Sequence, residues 1–349
     1  MKFKDKKGSL LCVAKLTLNC PGNCKCCANR QELFNGKSKG GRLMSLELFL
    51  KICRELRKLG GGYISLSGGE PTLLPNIVEY IKIAKQNQLV VRINTNGWGI
   101  TEELLTKWLD EGLDQICLSI YGLSSEEVAI MRGNKEIQTR TMNALDILSR
   151  ARRRRPFLLI MQTIIMRTNY TIIPKLLTKA FEGKCDFFWP SYLEDAFNLP
   201  ELRLDESDVS DFKDNIFPQI IQIIKNNVTD KKQYKELCGQ ADKYFNNCTY
   251  LNGVYKEGAN LSCSLPGRFL LIYPNGVVAP CPGHEYFVSC KELLFEDKTL
   301  GDILLSDKFK DFNLHRHQYC CYCPQGLHVG LKLNPNEIHE RISASELHY

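Results

Sequence analysis

The 349-residue sequence contains no run of about 18 uncharged apolar residues, which excludes a membrane-spanning helix of the usual kind. Its N-terminus, MKFKDKKGSL, is basic but lacks the apolar stretch of a secretory signal, so the expected location is cytoplasmic. No internal repeat or low-complexity segment stands out. A broad basic surface with interleaved aromatics is missing as well. The formal charge of +7 is modest for this length, and its densest source is Arg150, Arg152, Arg153, Arg154 and Arg155, just before Pro156. That run reads as the exposed last turn of a helix, where cations complement the dipole, followed by a proline stop. Nucleic acid is therefore not an expected partner.

What the chain has in excess is cysteine, 16 in all. In a cytoplasmic protein such a number points to metal or redox chemistry rather than to disulfides. The cysteines are also clustered, with Cys20, Cys24, Cys26 and Cys27 near the start and Cys320, Cys321 and Cys323 near the end. Cys12, Cys53 and Cys117 sit singly in apolar patterns and read as small buried hydrophobes.

Between residues 10 and 190, short apolar runs alternate with amphipathic stretches. Strands are expected at 11–18, 63–66, 90–94, 115–120, 156–166 and 186–189. Helices are expected at 45–59, 75–86, 102–111, 137–152 and 172–182, with Ser45 and Thr101 as good helix starts. Six βα repeats imply an α/β fold with a parallel sheet and outer helices. Six units are too few for a closed eight-stranded barrel and match a partial (β/α)6 barrel of TIM type. On such sheets the chemistry belongs at the C-terminal ends of the strands. The domain reading is a core at 1–197, a polar helical connecting insert without strand pattern at 198–260, a compact cysteine-rich region at 261–331 and a tail at 332–349. That third region carries a hairpin signal, Arg268 to Tyr273, Pro274-Asn275-Gly276, then Val277-Val278.

Cys20, Cys24 and Cys27 follow the first strand, in a loop opened by Pro21 and Gly22. Three thiolates on one tight loop can hold three irons of a [4Fe–4S] cube and leave the fourth open. The alternative is a zinc loop with Cys26 as fourth ligand. The second strand ends in Ser67-Gly68-Gly69-Glu70-Pro71, where glycines permit a close backbone approach to a ligand. The third ends in Asn94-Thr95-Asn96-Gly97 and the fourth in Ser119-Ile120-Tyr121-Gly122, which puts small polar side chains at the same rim.

The C-x3-C-x2-C spacing, with Gly-Gly-Glu-Pro 41 residues after Cys27, resembles the radical S-adenosylmethionine superfamily. This resemblance implies a [4Fe–4S] cluster on Cys20, Cys24 and Cys27, whose open iron is chelated by S-adenosylmethionine. One electron then breaks the sulfonium bond and yields a 5′-deoxyadenosyl radical that abstracts a substrate hydrogen. A low-potential donor such as flavodoxin or ferredoxin is implied as partner. Residue by residue, the resemblance assigns Gly68, Gly69, Glu70 and Pro71 to the methionine amino group, and Asn94 and Ser119 to the ribose and carboxylate. Arg132, in the Val128-to-Gly133 segment, is a further partner for the carboxylate. Gln162, on the fifth strand, is assigned to the adenine. The family usually has an aromatic residue where Cys26 stands.

Cys263, Cys281, Cys320 and Cys323 resemble the twitch domain, the shorter relative of the SPASM extension, and imply one auxiliary [4Fe–4S] cluster for electron transfer. A four-cysteine zinc knuckle is the alternative, and Cys321 is an alternative to Cys320. No cysteine follows Cys323, so a second auxiliary cluster is not expected. Phe187, Phe188, Trp189, Tyr192, Glu194 and Asp195 form the most suggestive stretch for a substrate pocket, with Tyr121 and His284 as further candidate contacts. A small molecule such as a sugar or cyclitol is the expected substrate, since only 19 residues precede Cys20 and no leader-recognition domain is evident. A ribosomally made peptide is the alternative. A non-catalytic iron–sulfur or zinc protein is the third reading, and it leaves the Gly-Gly-Glu turn unexplained.

Overall fold

Six runs rich in β-branched and other apolar residues form the parallel strands that the alternation calls for. They are β1 (Leu11–Thr17), β2 (Tyr63–Gly68), β3 (Val90–Thr95), β4 (Gln115–Ser119), β5 (Leu158–Ile165) and β6 (Phe187–Tyr192), paired in chain order. The computed structural model describes residues 10–27, 43–193, 199–246, 250–251, 254–255, 268–280, 292–294, 297–315 and 331–333.

The helices on the outer side are α1 (Leu46–Lys58), α2 (Ile77–Gln86), α3 (Glu102–Asp110), α4 (Ser125–Arg132), α5 (Glu136–Ala151) and α6 (Ile173–Glu182). Ser45 and Thr101 cap α1 and α3 as expected, accepting from the N–H groups of Leu48 and Leu104 at 3.1 Å each. Two helices rather than one fill the β4–β5 crossover. The unexpected α4 starts with a capping box in which Ser124 and Glu127 satisfy each other's backbone N–H groups.

Strand residues alternate between two apolar environments. Cys12, Ala14 and Leu16 face the helices and share one core with Phe49, Ile52 and Cys53 of α1. Leu11 and Val13 face the other way, among Tyr63, Phe269 and Leu271. Cys117 joins Ile160, Phe187 and Trp189 inside the barrel, while Phe188 packs outward. Cys12, Cys53 and Cys117 are thus the buried hydrophobes their patterns implied.

The insert is not a free-standing connector. Helix α7 (Glu206–Asp211), a π-helical turn (Phe212–Ile216) and α8 (Phe217–Asn227) follow one another without a break. Pro218, which has no N–H to donate, accounts for the widened turn. Helix α8 lies against α6 and buries Ile220 and Ile224 in the main core. Helix α9 (Lys231–Ala241) is followed by a second π-helical turn (Asp242–Asn246) and a short hairpin, β7 (Tyr250–Leu251) and β8 (Val254–Tyr255). That hairpin corrects the expectation of a strand-free insert.

The C-terminal hairpin is present as β9 (Phe269–Ile272) and β10 (Val277–Ala279), turning at Gly276 with φ +82°. It is not a separate sheet. Strand β9 pairs parallel with β1, and β11 (Glu292–Leu293) adds to β10. At the far edge, β12 (Leu331–Lys332) pairs antiparallel with β6. Both edges of the six-strand core are therefore covered by later chain, which moves the sheet's edges to the two-residue strands β11 and β12. Helices α10 (Leu300–Leu304) and α11 (Asp307–His315) complete the described elements.

The arginine run does not end in solvent as a whole. Arg152 is nearly buried and forms a 2.5 Å ion pair with Asp186, whose other oxygen accepts from the Leu159 N–H at 2.8 Å. Arg150 and Arg155 pair with Glu102 and Asp110. Among the described residues, no helix is long and apolar enough to cross a membrane.

Candidate cofactor site at the strand ends

The site begins where β1 and β2 stop. Pairing continues past the strands: Gly69 N–H donates to the Thr17 carbonyl at 2.6 Å and Glu70 N–H to that of Asn19 at 2.8 Å. Cys20 is the next residue, so the Gly-Gly-Glu turn sets the height at which the cysteine loop leaves the sheet. The two glycines are required by the packing of this turn itself. A Cβ on Gly68, whose φ is +131°, would lie 2.2 Å from the Thr17 oxygen, and one on Gly69 2.1 Å from that of Asn19. The protein's own backbone passes close to both.

Glu70 is likewise turned inward. One carboxylate oxygen accepts from the Thr72 N–H (3.0 Å), the Thr72 hydroxyl (2.7 Å) and the Thr95 hydroxyl (2.6 Å); the other accepts from the Asn96 N–H (2.7 Å). Its carboxyl is pushed up by burial and pulled back by these donors, with burial the larger effect. The side chain ties the end of β2 to the end of β3, and Pro71 opens the turn of 3-10 helix that follows.

The loop's second support is α4, which is not among the helices expected from the sequence. At the C-terminus of α4, the Arg132 carbonyl accepts from Asn23 N–H at 2.7 Å and the Met131 carbonyl from Lys25 N–H at 3.0 Å. These are carbonyls that a helix end leaves without partners of its own. Asn134 donates to the Pro21 carbonyl at 3.1 Å. Gly133 ends the helix in the left-handed region, with φ +64°, and a Cβ there would stand 3.3 Å from that of Asn23. Gly133→Val is expected to cost roughly 1–2 kcal/mol by its backbone strain and to speed removal of iron from the reconstituted protein by a chelator several-fold. Gly133→Asn, which tolerates that conformation, should have the smaller effect. Denaturant midpoints and chelation rates check both, and wild-type values for the valine variant would refute the clamp.

Cys20 reaches solvent, while Cys24 and Cys27 are half-buried. Desolvation of its sulfur pushes the Cys20 thiol up to about 12; the Gly22 N–H, 3.4 Å away, pulls it back, and Cys24, Glu70 and Cys27 add smaller upward pushes. Cys26 turns into an apolar cluster of Met131, Met166, Leu193 and Leu202, and burial raises its thiol strongly. Among the described residues, no three His, Cys, Asp or Glu side chains are grouped to hold a metal ion. A donor set of three soft thiols on one loop, with N–H groups aimed at a sulfur, fits an iron–sulfur cube.

Ser119 and Gln162 stand opposite each other in the β4–β5 register, both half-buried. The Gln162 amide oxygen accepts from the Cys117 thiol at 3.4 Å. Asn94, on β3, keeps a buried side-chain oxygen with no partner among the described residues. A ribose hydroxyl is the kind of donor that would satisfy it. Arg132 is only 2% exposed: it donates to the Ser119 carbonyl at 2.6 Å and lies 4.2 Å over the Tyr121 ring. Its Nε has no partner among the described residues. Asn169, which the motifs did not flag, donates to the carbonyls of Tyr121 (3.1 Å) and Ile164 (2.8 Å) and accepts from Met166 N–H (2.8 Å), joining the ends of β4 and β5. Cys263, Cys281, Cys320, Cys321, Cys323, His284, Glu194 and Asp195 lie outside the described residues.

A family model described as the Radical SAM superfamily matches residues 15–173, the segment from β1 to the start of α6 that holds the three-cysteine loop and all the strand-end motifs. Among solved structures, Streptococcus suis SuiB bound to precursor peptide SuiA is similar in fold, with TM-score 0.63 and 17% identity over 89% of this chain and 67% of SuiB. SuiB bound to S-adenosylmethionine gives 0.61 and 16% over 88% of this chain and 66% of SuiB, so the chain spans about two thirds of SuiB's length. Native anSMEcpe with bound AdoMet gives 0.63 and 16% over 87% of this chain and 82% of its own. With fold, loop and strand-end motifs coinciding in the matched segment, residues 15–173 form a domain of the Radical SAM superfamily, a family whose cofactors are a [4Fe–4S] cluster and S-adenosylmethionine.

Proposed function

We propose that Cys20, Cys24 and Cys27 hold the [4Fe–4S] cluster and that the protein cleaves S-adenosylmethionine reductively to abstract a hydrogen from a substrate. The observation that carries this reading is the double anchoring of the cysteine loop, by the Gly69–Glu70 backbone on one side and the α4 terminus on the other. When bound, the cluster supplies the electron that breaks the sulfonium bond. The chain's own residues then have positioning tasks. Ser119, Gln162 and the unsatisfied Asn94 oxygen offer polar contacts for the nucleoside. Arg132, held between Tyr121 and the Ser119 carbonyl, orders the β4 end and leaves its Nε for a carboxylate. Gly68, Gly69, Glu70 and Pro71 act through the backbone of their turn.

Cys263, Cys281, Cys320 and Cys323 are proposed as the ligands of one auxiliary cluster, and a flavodoxin or ferredoxin as the electron donor. Anaerobic reconstitution followed by iron and sulfide counting tests both sites. About eight irons supports two cubes and about four supports the loop alone. Reduction with dithionite in the presence of S-adenosylmethionine is expected to release 5′-deoxyadenosine, and no release under any reductant would sink the reading.

For the substrate, the motif reading favours a small molecule such as a sugar or cyclitol. A peptide is the second reading, supported by the peptides bound in SuiB and in anSMEcpe. Substrate-dependent stimulation of 5′-deoxyadenosine release, measured with each class, separates them.

A further inference from the structure

Two hydrogen-bond donors converge on the Cys20 sulfur, the Gly22 N–H at 3.4 Å and the side-chain amide of Asn96 at 3.8 Å. The second comes from another strand end and is held there with little freedom. Asn96 donates its backbone N–H to Glu70 at 2.7 Å and accepts from the Thr141 hydroxyl at its carbonyl at 2.5 Å. Its side-chain oxygen accepts from the Trp98 N–H at 2.9 Å. This last bond decides which way the amide points. With the oxygen engaged by a backbone N–H, the –NH2 faces the opposite side, where the Cys20 sulfur stands. Sulfur is large and diffuse, so an N–H···S contact is longer than its oxygen counterpart.

We propose that Asn96 is a positioning residue that sets the reduction potential of the cluster by donating to the Cys20 thiolate. The proposal rests on the reading that Cys20 ligates iron. Reduction adds one electron to the cube, and part of the added negative charge falls on the thiolate sulfurs. A fixed N–H dipole aimed at one of them stabilises the reduced form more than the oxidised form. Hydrogen bonds to cluster sulfurs are among the levers by which a protein moves such potentials. Glu70, by holding the Asn96 backbone, couples the Gly-Gly-Glu turn to the same sulfur.

The test compares the reconstituted wild-type chain with Asn96→Asp and Asn96→Ala. Asn96→Asp keeps an oxygen for the Trp98 N–H and replaces the donor by a carboxylate; Asn96→Ala removes both. Iron and sulfide are counted first. The midpoint of one-electron reduction is then measured by potentiometric titration with dithionite, followed by electron paramagnetic resonance without S-adenosylmethionine. Both variants are expected to load iron as wild type does and to show lowered midpoints. For Asn96→Ala the reduced-to-oxidised ratio at fixed potential should fall about fivefold, about 40 mV at 59 mV per tenfold, and Asn96→Asp should shift further. Unchanged midpoints in both variants would overturn the proposal. So would loss of iron from both, which would make Asn96 an assembly residue. A Cys20→Ala variant with wild-type iron content would instead overturn the cluster assignment itself, so the two failures are distinguishable.

Discussion

Replacing Cys20, Cys24 and Cys27 together by alanine should remove about four irons per chain and reduce 5′-deoxyadenosine release to background, while the denaturant midpoint barely moves. The two effects separate because the loop is held by backbone groups. Asn23 and Lys25 donate their N–H groups to α4, and Gly69 and Glu70 donate to Thr17 and Asn19; none of these bonds uses a thiol. Cys20 reaches solvent and the other two are half-buried, so truncation leaves no core cavity. Substitutions of this kind usually change stability by no more than about 0.5 kcal/mol. Loss of a cube ligand set, in contrast, removes the centre that delivers the electron. Iron analysis, product release and a denaturation curve on one preparation check the prediction. Retained cleavage would refute the loop's role, and global unfolding would show that the thiols stabilise the fold.

The second large effect is expected at Glu70. Glu70→Ala strands the N–H and hydroxyl of Thr72, the hydroxyl of Thr95 and the N–H of Asn96. Each buried donor left without an acceptor costs about 1–3 kcal/mol, and the sum is not additive. A loss of about 3–5 kcal/mol is expected, the range seen when one member of a buried charged network is removed. Glu70→Gln keeps one acceptor oxygen for the three donors on that side but presents an –NH2 to the Asn96 N–H, so it should lose about half as much. Denaturant unfolding reads both values. A Glu70→Ala variant within about 1 kcal/mol of wild type would mean that water replaces the carboxylate, and the residue would then be free to serve a ligand.

Both predictions turn on residues that the motifs picked out, but only one rests on a role the motifs implied. The cysteine loop is legible because its spacing is covalent and because the strand before it is a short, almost continuous apolar run from Leu11 to Leu16. All six strands of the core were legible for the same local reason, and so were α1 and α3 through Ser45 and Thr101. Helix α4 has a local signal, Ser124 followed three residues later by Glu127, but the segment's resemblance to a known motif lies at its Arg132-Gly133 end. The hairpin at 269–279 is locally complete and so is legible in the sequence. Its pairing with β1 lies more than 250 residues back along the chain and leaves no local trace.

By itself, then, the sequence determined where three thiols would stand on one loop and that the polar residues around them would crowd one rim of a parallel sheet. These follow from bond connectivity and from a side-chain period of two. The tertiary structure decided what those residues touch. It turned Glu70 inward, closed the Gly68–Gly69 turn on β1, set Arg132 over Tyr121 and pointed Asn96 at Cys20. The partners in these contacts lie 26 residues apart for Glu70 and Asn96, and 76 for Asn96 and Cys20. At such separations a hydrogen bond is chosen by strand register and by the burial of donors that must find acceptors, and neither is written in any short stretch of chain.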